Sequence, residues 1–195
     1  MTAKLLAFAG STRAGSYNQR LVDLAAHRAR EAGAEVTEIR LKDFALPLYD
    51  EDLEAAGFPE NARELRALFL AHDGFLIASP EHNGGVSAAL KNAIDWASRP
   101  ETGQPTTILA GFRGKVAGVM SASISPFGGL RGILQLRQIL GTIQTVVATE
   151  NILVPFAAKA FDGPALVDAM PAQLLPVMTR RVVQLATALS PRLNG

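Results

Sequence analysis

Short continuous apolar runs alternate along this chain with segments whose apolar residues recur at helical spacing. Leu5 to Ala9 is the first run, bracketed by polar residues. Residues 18–32 follow with a stripe of Leu21, Ala25, Ala29 and Ala32, and Gly33 as the stop signal. Residues 35–41 change to period two: Thr37, Ile39 and Leu41 face one way and Glu38 and Arg40 the other, the mark of a half-exposed edge strand. A helix opened by Pro59 is predicted over 60–72, and a buried strand over 75–78. A helix over 86–98 ends before Pro100. Buried runs at 116–120 and 145–148 enclose a helix over 129–140 that carries Leu130, Ile133, Leu134, Arg137 and Leu140, and 171–189 forms a last helix. The stripe on 129–140 suits either a helix covering the sheet or a subunit surface. Residues 42–58 and 99–114 are the longest irregular stretches, a length that usually means function or mobility.

Strand and helix in alternation, with strands apolar on both faces, make a parallel sheet covered on both sides. Five strands and about five helices fit the smaller doubly wound α/β architecture, a five-stranded parallel sheet in the order 2-1-3-4-5. The edge character of the second strand agrees with that order. No repeat, linker or composition break divides residues 1–195, so one domain is expected.

In such a sheet ligands bind beyond the carboxyl ends of the strands. Three buried strands end there in polar clusters: residues 10–18 (GSTRAGSYN), 79–85 (SPEHNGG) and 121–129 (SASISPFGG). The first joins a strand to a helix, where free backbone N–H groups favour an anion. Ser11, Thr12, Ser16 and Asn18 add neutral donors, and Arg13 a planar charged one. A capping box, with Ser16 capping and Gln19 reaching back, accounts for part of the cluster but not for its hydroxyls, Arg13 and glycines. Neither G-x-x-x-x-G-K-[ST] nor G-x-G-x-x-G occurs in it, and no metal-binding Asp follows. A mononucleotide held without magnesium remains, FMN foremost. In the second cluster, Pro80, Gly84 and Gly85 let backbone approach a flat ring, Asn83 offers an amide, His82 a flat partner, and Glu81 a solvated acid or an acceptor within the loop. Ser121 and Ser123 of the third either border the ligand or serve the turn and helix start. Trp96 belongs to the core or to an interface. His27 and His72 fall in helical patterns and carry no assigned role.

Composition narrows the classes. Nineteen basic residues against eighteen acidic leave a net charge of +1, which speaks against a broad basic field for nucleic acid and against a strongly acidic electron shuttle. There is no cysteine, so disulfides, Cys-ligated zinc, iron–sulfur clusters and thiol nucleophiles are excluded. The apolar run near the start is too short for a signal-peptide core or a membrane span, and a cytoplasmic protein without membrane or nucleic-acid partner is expected.

These residues resemble the NAD(P)H-dependent FMN reductase family. The first cluster is similar to its phosphate loop, G-S-x-R-x-x-S-x-N. Residues 46–54 (LPLYDEDLE) resemble its segment after the second strand. Residues 79–96 (SPEHNGGVSAALKNAIDW) resemble its ring segment, and residues 121–132 (SASISPFGGLRG) its Gly-Gly-x-Arg segment. The resemblance implies a flavodoxin-like three-layer sandwich. It implies FMN with its phosphate on Ser11, Arg13, Ser16 and Asn18, its ring wrapped by Pro80, Glu81, His82, Asn83 and Gly84, and Ser123 near its edge. It implies NAD(P)H as hydride donor, a flavin, quinone, azo or oxyanion acceptor, and a homodimer or homotetramer, with no metal and no catalytic side chain. His82 stands where the family usually has Tyr, and Ser125 to Phe127 is unlike the commonest family form. A flavodoxin-type electron carrier and a non-enzymatic flavin-binding sensor are the rival readings.

Overall fold

A computed structural model describes residues 2–100 and 108–190. Residues 101–107 of the long stretch at 99–114 therefore lie outside the described residues. In chain order the elements are β1 (Lys4–Ala9), α1 (Tyr17–Glu31), β2 (Glu35–Arg40), a 3-10 turn (Leu41–Phe44), α2 (Glu51–Ala56), α3 (Glu60–Ala71) and β3 (Gly74–Ala78). Then come β4 (Glu81–His82), β5 (Gly85–Val86), α4 (Ala88–Ser98), β6 (Val116–Ala122), α5 (Leu130–Thr142) and β7 (Val146–Val154). The chain continues through α6 (Ala157–Ala160), β8 (Phe161–Asp162), β9 (Ala165–Leu166) and α7 (Ala169–Leu189). The main sheet is parallel, ordered β2-β1-β3-β6-β7, which is the predicted 2-1-3-4-5.

The period of two along the central strands divides their side chains between two cores. Leu5, Ala7 and Ala9 of β1 face α1 and α7 together with Leu76, Ala78 and Met120. Leu6 and Phe8 face α3, α4 and α5 together with Phe75, Ile77 and Val119. The second core is the aromatic one: Phe69 packs against Phe8, Phe75 and Phe112 with ring centroids 4.9–5.5 Å apart. On the other face α7 lies close because Gly118 is small. A Cβ there would come within 2.2 Å of Met178 Sδ and 2.9 Å of Val182 Cγ2.

Several predicted boundaries move. The last strand extends well past 148, to Val154. Its polar middle, Thr149 to Asn151, reads as a stop, but a bulge lets those residues out of register: Ala117 pairs with Val147, whereas Val119 pairs with Asn151. The polar groups are then met from the flanking helices. Arg137 Nη1 donates to Ala148 O at 2.6 Å and Asn151 Oδ1 at 3.1 Å, and Arg181 Nε donates to Glu150 Oε1 at 2.5 Å. The helix expected from 86 starts at Ala88 because Ser87 caps it, its Oγ accepting from Leu90 N at 3.2 Å. Residues 42–58 are not irregular throughout: Asp50 Oδ1 accepts from Asp52 N and Leu53 N and starts α2. On α5, Ile133, Leu136 and Leu140 are buried, while Leu134 is 55% exposed.

Two of the resembling segments prove to be one structural unit. Pro47 O accepts from Asn92 Nδ2 at 2.8 Å and from Trp96 Nε1 at 2.9 Å, and Tyr49 N donates to Asn92 Oδ1 at 2.8 Å. Trp96 is fully buried between Tyr49 and Phe58, so it is a core residue. Tyr49 OH donates to Glu54, which also takes Arg99 Nε at 3.0 Å. Burial and this bond to the carboxylate push the Tyr49 phenol up to about 12.

Candidate functional site

The three polar clusters meet at the carboxyl end of the sheet around a cavity of about 760 Å³, within the size range of cofactor sites. Each wall has a local cause. Gly10 N continues the ladder by donating to Ala78 O at 2.8 Å, and the chain then turns over α4. Gly10 is required there, since a Cβ would stand 2.8 Å from Leu90 Cβ. Ser87 Oγ donates to Gly10 O and so anchors the turn to the start of α4. Ser16 caps α1 in extended backbone, its Oγ accepting from Gln19 N at 3.4 Å. The reciprocal half of the expected capping box is absent: Gln19 Nε2 donates to Asp23 Oδ1 at 2.7 Å instead.

Ser11, Thr12, Arg13, Ser16 and Asn18 line the cavity on the first loop, with Tyr17 beside them. Arg13 is exposed, its Nη2 donating to Gly15 O at 3.2 Å and its guanidinium 5.8 Å from the Tyr17 ring. Among the described residues it has no carboxylate partner. Asn18 is buried and bonded through both ends of its amide: Nδ2 donates to Ala122 O and Oδ1 accepts from Ala122 N, each at 2.9 Å. It ties the first loop to the third across the cavity floor.

Pro80, Glu81 and His82 line the opposite side. Asn83 and Gly84 are the two-residue turn of the β4–β5 hairpin, with φ of 52° and 81°. An Asn-Gly pair with both φ positive is the favoured tight hairpin turn. The structure does not bring these two into the cavity lining; Asn83 borders a neighbouring groove with His82, Lys91 and Gln135. Glu81 is an acceptor within the scaffold. Its Oε1 takes Arg131 Nε at 2.9 Å and Arg131 Nη2, and its Oε2 takes Gly132 N at 3.1 Å. Burial pushes this carboxyl up, but Arg131 and the Gly132 N–H outweigh burial and hold it below the ordinary carboxylate range.

Ser123 lines the third side with Ala122 and Ile124, its Oγ donating to Ser125 Oγ at 3.1 Å and accepting from Ser125 N at 3.2 Å. Ser121 stands apart. Its Oγ is buried beneath Gly129 with no hydrogen-bond partner among the described residues, and a Cβ on Gly129 would come within 1.9 Å of it. Ser87, Ala88 and Ala89 also line the cavity. A Ser ahead of a helical run marks such a helix start, so this wall has a local signal in the sequence. Among the described residues no cluster of His, Asp and Glu could hold a metal ion, and no helix is long and apolar enough to cross a membrane.

The donor set fits a phosphate monoester carrying a flat group. Three hydroxyls and a guanidinium that has no acidic partner among the described residues surround the start of α1, whose dipole favours an anion. Glu81, the carboxylate in the lining, is already held by Arg131 and Gly132. Small Ala88 and Ala89 keep bulk out of the space between.

Comparison with known proteins agrees with this geometry. The family model for NADPH-dependent FMN reductase matches residues 3–159. An NAD(P)H-dependent FMN reductase of Pseudomonas aeruginosa is 38% identical over 162 residues, 82% of each chain. A quinone reductase of Escherichia coli K12 is 36% identical over 140 residues, 71% of this chain and 69% of that one. Among solved structures, FerB, a flavoenzyme NAD(P)H:(acceptor) oxidoreductase from Paracoccus denitrificans, superposes with a TM-score of 0.79 at 26% identity, covering 96% of this chain and 98% of its own. Fold, loop placement and matches converge on one statement: the chain belongs to the NADPH-dependent FMN reductase family, flavodoxin-like oxidoreductases that use flavin and NAD(P)H.

Proposed function

We propose that this protein is an FMN-dependent NAD(P)H reductase that holds FMN in the rim cavity and passes reducing equivalents to a small-molecule acceptor. The observation that carries the reading is the convergence of Ser11, Thr12, Arg13 and Ser16 with Pro80, His82 and Ser123 around one space of about 760 Å³. Ser11, Thr12 and Ser16 would donate hydroxyl hydrogen bonds to the phosphate, and Arg13 a charge-assisted one. The first turn of α1 adds its N–H groups. Pro80 and His82 would border the ring, and Ser123 its edge. Asn18, Ser87 and Glu81 act by holding the loops: Asn18 joins the first to the third, Ser87 seats the first on α4, and Glu81 fixes the second against α5. Asn83 and Gly84 form the turn that sets the direction of His82.

Bound FMN supplies the redox chemistry, in which NAD(P)H, a proton and a quinone-type acceptor become NAD(P)+ and the hydroquinone. The side chains have positioning and exclusion to do, and none is needed as nucleophile, general acid or general base. We propose a dimer or tetramer as the working assembly. Exposed Leu134 on α5 and a groove of about 400 Å³ beside Ile94, Ile139 and Ile143 support it. The test is a visible spectrum of the purified protein followed by NAD(P)H oxidation with menadione or ferricyanide. Flavin bands and steady turnover are expected. A colourless protein that takes up no FMN from excess would end the reading.

A further inference from the structure

Two arginines meet on one aromatic ring at the edge of the rim cavity. Tyr17 opens α1 and lines the cavity beside Arg13. The Arg13 guanidinium carbon lies 5.8 Å from its ring centroid and that of Arg20 lies 5.6 Å, both within cation–π range. Arg20 follows Tyr17 by three residues, which puts both on one face of α1. It is exposed, and among the described residues neither it nor Arg13 has a carboxylate partner. Further along the same helix the arginines are paired: Arg28 lies 2.8 Å from Glu31, and Arg30 lies 2.7 Å from Glu38. Two like charges on one ring, without acids, repel each other until an anion arrives.

The ring itself is fixed from behind. Phe161 stacks on Tyr17 with centroids 5.9 Å apart and an interplanar angle of 17°. Phe161 is buried at the head of the β8–β9 hairpin, paired with Leu166, and Val167 N donates to Ala160 O at 2.8 Å to close the hairpin's base. It belongs to the core shared with α1 and α7. The hairpin lies past residues 3–159, the span that the family model matches. A line of contacts therefore runs from the core through Phe161 and Tyr17 to the Arg13 guanidinium. Among the described residues that guanidinium makes one hydrogen bond, to Gly15 O, so the ring is what gives it a direction.

We propose that Tyr17 and Phe161 are positioning residues that aim Arg13 at the flavin phosphate, and that Arg20 is a specificity-determining residue, adding the second positive charge that favours the anionic phosphate ester FMN over uncharged riboflavin. The inference rests on the reading of the cavity as an FMN site and names residues outside the phosphate-loop motif that serve it.

The test titrates the full-length protein, freed of flavin, with FMN and with riboflavin, reading flavin fluorescence at low and at high salt. Wild type, R20M, R20K and F161L are compared. In R20M the FMN dissociation constant should rise about two- to fivefold while that of riboflavin stays at the wild-type value. Its dependence on salt should also become shallower, because one of two attracting charges is gone. R20K keeps the charge and should recover the salt dependence. F161L fills much of the buried volume but removes the stacked face, and should weaken FMN about two- to fivefold and leave riboflavin unchanged. An FMN-to-riboflavin ratio in R20M within about 1.5-fold of wild type would overturn the role of Arg20. Equal loss of both flavins in F161L would overturn the aiming role, since the hairpin would then shape the cavity as a whole. R20M is a surface variant, so it decides the matter even where F161L fails to fold. A wild type that takes up neither flavin overturns the reading of the cavity itself, whereas a wild type that binds FMN beside variants of unchanged selectivity overturns this inference alone.

Discussion

The two ends of the sheet treat their polar groups in opposite ways. At the end where the strands begin, polar side chains are buried and bonded to one another or to backbone. Asp73 Oδ2 accepts from Lys4 N at 2.8 Å and its Oδ1 from Ser190 Oγ at 2.6 Å, joining β1, β3 and the end of α7. His72 sits between Leu68 O at 2.6 Å and Thr37 Oγ1 at 2.8 Å. Lys115 Nζ donates to Leu70 O at 3.0 Å and to Phe69 O, closing the last turn of α3, and burial brings its ammonium down to about 8. At the carboxyl end, Ser11, Thr12 and Arg13 make only short local bonds or none that fill their capacity. One end uses polarity to lock elements together, and the other holds donors in reserve for a ligand. The scaffold of the rim follows the first rule, through Asn18, Ser87 and Glu81, while its lining follows the second.

The contrast is broken most severely at Asp73. Asp73→Ala strips partners from the part-buried Lys4 N–H and the buried Ser190 hydroxyl. The expected cost is about 2–4 kcal/mol of stability. For a domain of this size that lowers Tm by about 5–15 °C. The FMN dissociation constant of the folded fraction should stay at the wild-type value. Thermal unfolding and flavin titration on the same sample check both halves, and a shifted flavin affinity with unchanged Tm would contradict the division between the ends.

Arg13→Ala is the mirror experiment. It removes an exposed side chain with one backbone contact, so the apo protein should keep its Tm within the small range of surface substitutions. FMN binding should weaken by about 1.5–3 kcal/mol, read by fluorescence quenching on titration. Unchanged affinity would remove Arg13 from the phosphate site.

How far this division was legible in the sequence depends on the distance between partners. The donors in reserve lie close together, in 10–16 and 79–82, and follow strands recognisable by their apolar runs. The locks are invisible because each joins residues far apart: Asn18 to Ala122, Ser87 to Gly10, Asp73 to Ser190. Asn18 therefore read as one more donor for phosphate. The same distance hid the second half of β7, whose polar residues are answered by Arg137 and Arg181 from two helices. Two tight turns carry a local mark. Asn83-Gly84 is a hairpin turn by composition, and Gly163-Pro164 is the turn between β8 and β9, with Gly163 at positive φ.

The gentlest probe of the comparison is pH. Burial holds the His72 imidazole below its ordinary value, and the Lys115 and Lys4 ammoniums add to that, against the Leu68 carbonyl and the Asp73 carboxylate, which favour the proton. A native value below the unfolded one means that the folded protein binds fewer protons. The associated stability is fully present above the unfolded pKa of about 6.5 and is lost as pH falls through the lower folded value. Urea midpoints should therefore decline between pH 7.5 and pH 5.5, and His72→Gln should flatten that slope while lowering stability at neutral pH. The rim supplies the control. Arg13→Ala removes a side chain that lines the cavity at the opposite end of the sheet and is not among the groups that act on His72, and it should leave the slope as steep as in the wild type. A slope that flattens with Arg13→Ala and persists in His72→Gln would place the acid-sensitive group at the wrong end of the sheet.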